Sequence, residues 1–253
     1  MNEETMTRPV LENKVARRID LLRNVPLFTA LTTNDLEKLI NDFQLKSYDK
    51  QEMIFRQGED GNELYVILAG KVRIFKLSPS GAETSINIFS TYDIFGEFAV
   101  IDDGPRSAAA KAVVPTDLLA IRQEKFVAHM RTMPDLAMGL TKLLTDKLRW
   151  TAAYAEAATR YDAAGRLLHI LLLYNQKFGK ALDEGKRYAL DLALNQTDLA
   201  SLVGARREWV NRLLRDWRKR GLLEYKSGKI VLLDLPRVEA ERDRRIEVDQ
   251  ADW

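Results

Sequence analysis

Asn195-Gln196-Thr197-Asp198-Leu199-Ala200-Ser201-Leu202-Val203-Gly204-Ala205-Arg206-Arg207-Glu208-Trp209-Val210-Asn211-Arg212-Leu213-Leu214 reads as two helices around a tight turn. Asn195 suits the cap of the first helix, Ala200 is small where two helices cross closely, and Gly204 can take the positive φ of an inter-helix turn. Leu199, Val203, Val210 and Leu213 hold the pair together. A helical hairpin in any small domain shares that apolar pattern, so the charge of the second helix decides the reading. Residues 206–220 carry Arg206, Arg207, Arg212, Arg215, Arg218, Lys219 and Arg220 against only Glu208 and Asp216. In a helix-turn-helix the second helix offers its N-terminal residues to base edges while nearby cations meet phosphates. Arg207 and Arg212 have the fork that matches guanine, and Glu208 can accept from cytosine N4.

Working outward, Leu222–Tyr225 and Ile230–Leu233 flank Lys226-Ser227-Gly228-Lys229. Two short strands around a glycine-containing turn make a β-hairpin wing, with Lys226 and Lys229 near the duplex backbone. Upstream, Tyr188-Ala189-Leu190 reads as a short strand, and Ala163–Phe178 as a helix capped by Asp162. A helix is expected from Pro134, and no Gly or Pro interrupts Leu140–Ala164. Leu140, Leu144, Leu148, Thr151, Ala155 and Ala158 recur there at steps of three or four, leaving a narrow seam. Packing on the chain's own β-domain would use such a seam, as would a two-stranded coiled coil between subunits. The solvated look of Lys142, Asp146 and Arg149 opposite favours the coiled coil. From Arg237 on, four basic and six acidic residues predict a solvated helix or frayed end.

Toward the N-terminus the period changes. Residues 10–42 read as helical, with Thr32-Thr33-Asn34-Asp35 as capping side chains before Leu36, Leu39 and Ile40. From Phe43 to Ile121 come short apolar or alternating runs, namely 53–55, 64–68, 72–77, 84–89 and 118–121, punctuated by glycines about every ten residues. That is the pattern of an all-β barrel or sandwich. Inside it lies Phe95-Gly96-Glu97-Phe98-Ala99-Val100-Ile101-Asp102-Asp103-Gly104-Pro105-Arg106-Ser107-Ala108-Ala109. One Arg among small residues, bracketed by glycines, suits an anion, because free backbone N–H groups converge with a guanidinium that forks onto phosphate. Glu97 would repel a phosphate and therefore calls for hydroxyl donors such as a ribose. Sugar plus one phosphate is a nucleotide.

Composition narrows the chemistry. The 253 residues carry a formal charge of +2, distributed unevenly: residues 1–159 hold 20 Lys plus Arg against 22 Asp plus Glu, whereas residues 160–236 hold 15 against 9. Positive charge thus collects around the helix-turn-helix, as a nucleic-acid partner requires. With no cysteine there are no disulfides, thiolate-held iron-sulfur clusters or thiol switches. His129 and His169 stand alone among apolar neighbours, so structural roles are expected and neither a metal nor a haem is. The Met1-Asn2-Glu3-Glu4 start lacks a secretory pattern, and the apolar run Leu167–Tyr174 is far shorter than the roughly 20 residues of a membrane span. A cytoplasmic protein with no membrane partner is the expectation. No nucleophile–base arrangement is recognisable, so no catalytic activity is expected.

Two motifs, Phe-Gly-Glu followed by Pro-Arg-Ser-Ala and Arg-Glu-x-Val-x-Arg over Arg207–Arg212, make the chain from about Asn24 to Leu235 resemble the family of the cyclic AMP receptor protein and the fumarate-nitrate regulator. The resemblance implies an α+β architecture: a β-roll of the jelly-roll type, a long central dimerisation helix and a winged helix-turn-helix. It implies a cyclic nucleotide effector, cyclic AMP foremost. Glu97 would bind the ribose 2′-hydroxyl, Arg106 and Ser107 the cyclic phosphate, and Gly96 and Phe98 would approach through backbone. A homodimer, a pseudo-palindromic double-stranded DNA operator and RNA polymerase are the implied partners. Lys147 and Thr151 align with the central-helix residues that face the ligand.

Three departures matter. Ala152 stands where the family's cyclic AMP binders have a base-contacting hydroxyl, which puts adenine selectivity in question. Phe98 replaces an aliphatic residue, an exchange expected to repack the core beneath the loop. Arg206 replaces a Ser or Thr, losing a cap and offering a phosphate contact. The expected organisation is an N-terminal helical extension (1–23), the β-roll (24–133), the central helix (134–160), the winged helix-turn-helix (161–236) and a charged tail (237–253). Two alternatives stay open: the same fold answering another effector or none, and a cyclic-nucleotide regulatory subunit of a bound enzyme.

Overall fold

The computed structural model describes residues 15–183 and 185–247. The expected helix from Val10 is present as α1 (Val15–Arg23); the residues before it lie outside the described ones. The chain divides into two compact units, one ending its two segments at Ile74 and Leu144, the other made of Phe75–Ile88 and the chain from Thr145.

In the first unit α2 (Thr33–Ile40) begins at a reciprocal cap: the Asp35 N–H donates to the Thr32 hydroxyl and the Thr32 N–H to the Asp35 carboxylate. Strands β1 (Phe43–Tyr48), β2 (Met53–Phe55), β3 (Glu63–Ala69), β4 (Lys71–Leu77), β5 (Glu83–Ser90) and β6 (Ile94–Phe95) follow, then the short helix α3 (Glu97–Ile101), β7 (Ala109–Ala112) and β8 (Thr116–Arg122), the end of β4 and most of β5 falling in the segment Phe75–Ile88 that is grouped with the second unit. They build two four-stranded sheets, ordered β1-β8-β3-β6 and β2-β7-β4-β5. β8 lies inside its sheet, antiparallel to β1 from Phe43↔Ile121 to Tyr48↔Thr116 and to β3 on the other side. Six of its seven residues are buried, which is why Leu118–Ile121 reads as a continuous apolar run rather than an alternating one. β7 was invisible to strand propensity because it consists of Ala109-Ala110-Lys111-Ala112, yet all three alanines are fully buried. Helix α4 (Gln123–Thr132) closes the unit, followed by the start of α5 (Pro134–Arg160), where Leu136 and Leu140 join the core of Leu36, Leu39 and Phe126.

In the second unit α6 (Ala163–Phe178) starts at Asp162, whose carboxylate accepts from Gly165 N–H at 2.7 Å. It buries Leu167, Leu168, Leu171 and Tyr174 against Trp150 and Tyr154 of α5. Strands β9 (Lys180–Ala181) and β10 (Tyr188–Asp191) precede α7 (Gln196–Ser201) and α8 (Arg207–Lys219); β11 (Leu223–Lys226) and β12 (Lys229–Leu232) form the wing, in a sheet ordered β11-β12-β10-β9. Helix α9 (Leu235–Asp243) follows.

Along the α5 seam Leu140 is buried and Leu144 packs on the first unit's core, while Leu148, Thr151, Ala155 and Ala158 are exposed. One expectation is corrected. The segment after Arg237 is not a solvated tail as far as Glu247: Val238 is fully buried and Glu241 is 5% exposed. Charge content hid this, because Glu241 is neutralised locally by Arg220 and Arg245.

Candidate functional site: phosphate loop and recognition helix

The loop after β6 is shaped by backbone before any side chain acts. Gly96 holds φ +83°, and a Cβ there would stand 2.8 Å from Arg106 Nη1 and 3.0 Å from the Glu63 carbonyl oxygen, so the position admits glycine alone. α3 then turns the chain, and residues 102–108 return beside the β2–β3 connection. There Arg106 N–H donates to the Glu59 carbonyl and Gly58 N–H to the Arg106 carbonyl, each at 2.8 Å.

Those bonds aim the Arg106 side chain inward, where it is 5% exposed. Nη1 donates to the Gly96 carbonyl at 2.9 Å and Nη2 to the Glu63 carbonyl at 2.8 Å. The guanidinium lies 4.2 Å from the Phe55 ring centroid and 5.6 Å from that of Tyr65, a cation–π shelf. Its Nε–H is buried and has no hydrogen-bond partner among the described residues. Burial pushes the Arg106 pKa down, opposed by Tyr65 and Glu63. Glu63 is itself held by Lys46 Nζ at 2.7 Å and the Tyr65 hydroxyl at 2.6 Å; burial works against its carboxylate, but these two bonds prevail and its pKa falls below the ordinary value. Glu97 is buried at 4% exposure beside the same loop, whereas Ser107 is exposed. Phe98 is 49% exposed and so does not repack the core beneath the loop as expected. Gly96, Glu97, Phe98, Arg106 and Ser107 thus come together in the first unit. Lys147 and Thr151 lie on α5 in the second unit, where the Thr151 hydroxyl donates to the Lys147 carbonyl at 2.9 Å.

Sequence reasoning missed Lys46, Phe55, Gly61, Glu63 and Tyr65. Gly61 carried the one usable signal. A Cβ there would fall 2.5 Å from Arg106 Nε and 2.7 Å from Ala99 Cβ, so the glycine read as turn punctuation is the wall of the arginine's cradle.

The helix-turn-helix forms as its residues dictate. Asn195 accepts from Thr197 and Asp198 N–H, Asp198 returns a bond from Asn195 N–H, and Gly204 sits in the turn at φ +65°. On α8, Val210, Leu214 and Trp217 are buried, leaving Arg207, Glu208 and Arg212 exposed. Arg206 stands at the N-cap without a side-chain cap bond. Lys226 and Lys229 face solvent as a cross-strand pair beside the wing turn, and the Tyr225 hydroxyl ties the wing to the Leu194 carbonyl at 3.0 Å. No helix among the described residues is long and apolar enough to cross a membrane, and no three His, Asp or Glu residues among them cluster as a metal site. His129 instead pairs with Asp42 at 2.8 Å, and His169 is part-buried against the Tyr161 ring, its pKa lowered by burial and by Arg242.

A β-roll with a buried phosphate-type arginine, joined on one chain to a basic winged helix-turn-helix, defines a DNA-binding regulator with a ligand-binding domain. The cyclic nucleotide-binding domain family matches residues 45–133 and the Crp-like helix-turn-helix domain family residues 165–241. The Cyclic AMP receptor protein of Thermus thermophilus is 30% identical over 210 residues, spanning 83% of this chain and 93% of that protein. The CRP-like cAMP-activated global transcriptional regulator of Mycobacterium tuberculosis is 28% identical over 219 residues, spanning 87% and 97%. The fold is also that of FixK2 from Bradyrhizobium japonicum, with a TM-score of 0.69 at 22% identity over 78% of this chain and 96% of that one. The chain belongs to the CRP/FNR family of transcription regulators.

Proposed function

We propose that the protein is a homodimeric, non-catalytic regulator, located in the cytoplasm, whose binding to a pseudo-palindromic operator is gated by a cyclic mononucleotide. Cyclic AMP is the effector, RNA polymerase the partner of the bound dimer, and neither metal nor haem takes part. The observation that carries this reading is the orphaned Nε–H of Arg106, a buried donor beside a glycine-walled cradle, with the guanidinium already fixed by two carbonyls. An anionic phosphate satisfies that donor and offsets the buried positive charge. Ser107 adds a hydroxyl, Gly96 and Phe98 add backbone, and Glu97 takes the ribose. Lys147 and Thr151 of α5 are the further effector contacts that the family resemblance implies. On DNA, Arg207, Glu208 and Arg212 read base edges, while Arg206, Lys226 and Lys229 bind phosphates. The domain limits are those at residues 23, 133 and 160, with α9 kept in the winged helix-turn-helix domain whose core Val238 joins.

Calorimetric titration tests the effector. The wild type should bind cyclic AMP, and Arg106→Lys, which keeps the charge and loses the fork, should bind it at least about ten-fold more weakly, since a charge-assisted contact contributes about 1.5–3 kcal/mol. Equal affinity in the variant would refute the site. A second reading, an effector with another base, is favoured by Ala152, so cyclic GMP and cyclic di-GMP belong in the same titration; tighter binding of either would replace cyclic AMP.

A further inference from the structure

The exposed face of α8 carries one residue unlike its neighbours. With Val210, Leu214 and Trp217 committed to the core, the face away from them comprises Arg207, Glu208, Asn211, Arg212 and Arg215, at steps of i, i+1, i+4, i+5 and i+8. Four of these are charged and exposed. Asn211 is neutral, half-buried and one turn beyond Arg207, and its Oδ1 accepts from Gln196 Nε2 at 3.4 Å. Gln196 is the first residue of α7, directly after the Asn195 cap, so this contact links the first helix of the motif to the face of the second.

The chemistry of that face is incomplete without Asn211. Arginine offers donors only, which suits the two acceptors of guanine, and glutamate offers acceptors only, which suits the cytosine amine. Adenine presents an acceptor, N7, beside a donor, the N6 amine, and the primary amide of asparagine presents the complement. In the structure Oδ1 faces Gln196, an orientation that leaves its second lone pair for N6–H and the Nδ2 hydrogens for N7. Guanine would give the amide oxygen no donor, and thymine would place a methyl group in its way.

We infer that Asn211 is a base-reading residue that selects an adenine in each half-site, and that Gln196 is the positioning residue that orients its amide. This rests on the assignment of α8 as the helix that reads DNA. It adds to Arg207, Glu208 and Arg212 a position whose chemistry distinguishes this chain's operator from one read by charged residues alone.

Selection from random DNA followed by fluorescence-anisotropy titration tests it. Asn211→Ala should lose the preference at one base pair per half-site, an adenine, and keep the others. Replacing that adenine by 7-deazaadenine, which lacks N7, should weaken the wild type about five-fold or more and leave Asn211→Ala unaffected. Gln196→Ala should reduce the preference at that same pair and nowhere else, a pattern that general loosening of the fold would not give. The inference is overturned if Asn211→Ala keeps the full base profile, if the pair it erases is not adenine, or if the 7-deaza loss is as large in the variant as in the wild type. A wild type that enriches no sequence would overturn the DNA-reading assignment itself, and the inference with it.

Discussion

The position of Arg106, the residue to which the proposed effector site assigns the phosphate, depends on its surroundings. Two backbone carbonyls, two aromatic rings and the space left by Gly61 define where the guanidinium stands, and none of these carries a charge. Gly61→Ala should therefore weaken nucleotide binding without altering any charged group. A methyl placed 2.5 Å from Nε must displace the side chain or Ala99, costing about 1–3 kcal/mol of stability and, we expect, about ten-fold or more in effector affinity measured by calorimetry. Unchanged affinity would show that the arginine is not held in place by its cradle. At this scale the sequence was half legible. Arg106 and Glu97 stand out because polar residues among glycines and alanines in a β-domain demand a purpose. The Lys46–Glu63–Tyr65 cluster does not, since its members lie on two strands brought together only by the pairing of β1 and β3 with β8.

Among the elements, those set by local chemistry were legible to within a residue or two: α6 behind Asp162, α7 behind Asn195, α5 from Pro134, and the two wing strands. What tertiary contact decides was not. The C-terminal segment is the clearest case, because Tyr161 bridges Ile246, Asp162 N–H donates to the Arg245 carbonyl and Glu247 N–H to the Arg160 carbonyl, both at 3.0 Å. The segment thus pairs with the junction between α5 and α6. Its anchor is Glu241, which accepts from Arg220 and from Arg245, the latter also reaching Asp162 at 3.3 Å. The Arg220 bond holds the Glu241 pKa below its ordinary 4.5 against the opposing effect of burial, and Arg245 adds to it. A carboxylate depressed in the folded state contributes stability that is complete above the unfolded value and lost as pH falls through the folded one. Glu241→Gln should cost about 1–2 kcal/mol at neutral pH, the lower end applying because both arginines are partly exposed. Urea midpoints of the two proteins should then converge as pH is lowered below 4.5. A constant gap across that range would mean that packing, not charge, accounts for the difference.

For the whole molecule, the proposed homodimer calls for a surface on which two copies can meet. The exposed positions on the second half of α5 include Arg149, Glu156, Thr159 and Arg160 and, beside them, a stripe of Leu148, Thr151, Ala152, Ala155 and Ala158, one large apolar residue followed by small ones. Leu148 is 69% exposed, which an isolated chain has no reason to favour on a helix whose other leucines at 136, 140 and 144 pack inward. Such a stripe fits a parallel helix pair about a two-fold axis, with leucine as the knob and alanines permitting close approach. The charge distribution agrees with that arrangement: the excess of 15 basic over 9 acidic residues in 160–236 would be doubled toward one duplex. Leu144→Glu would be an ambiguous test, because Leu144 also contacts the first unit's core and its loss would disturb folding. Leu148→Glu is the cleaner probe. It should leave the thermal midpoint of the β-roll unchanged, yet face two carboxylates across the axis and weaken association by roughly a hundred-fold, about 3 kcal/mol. Sedimentation at micromolar concentration should then show monomers, and affinity for a full operator should fall to that for a half-site, with the salt dependence reduced by about half, because only one recognition helix and one wing still engage phosphates. A variant that sediments as a dimer and keeps full-site affinity would place the interface on another surface and refute α5 as the seam.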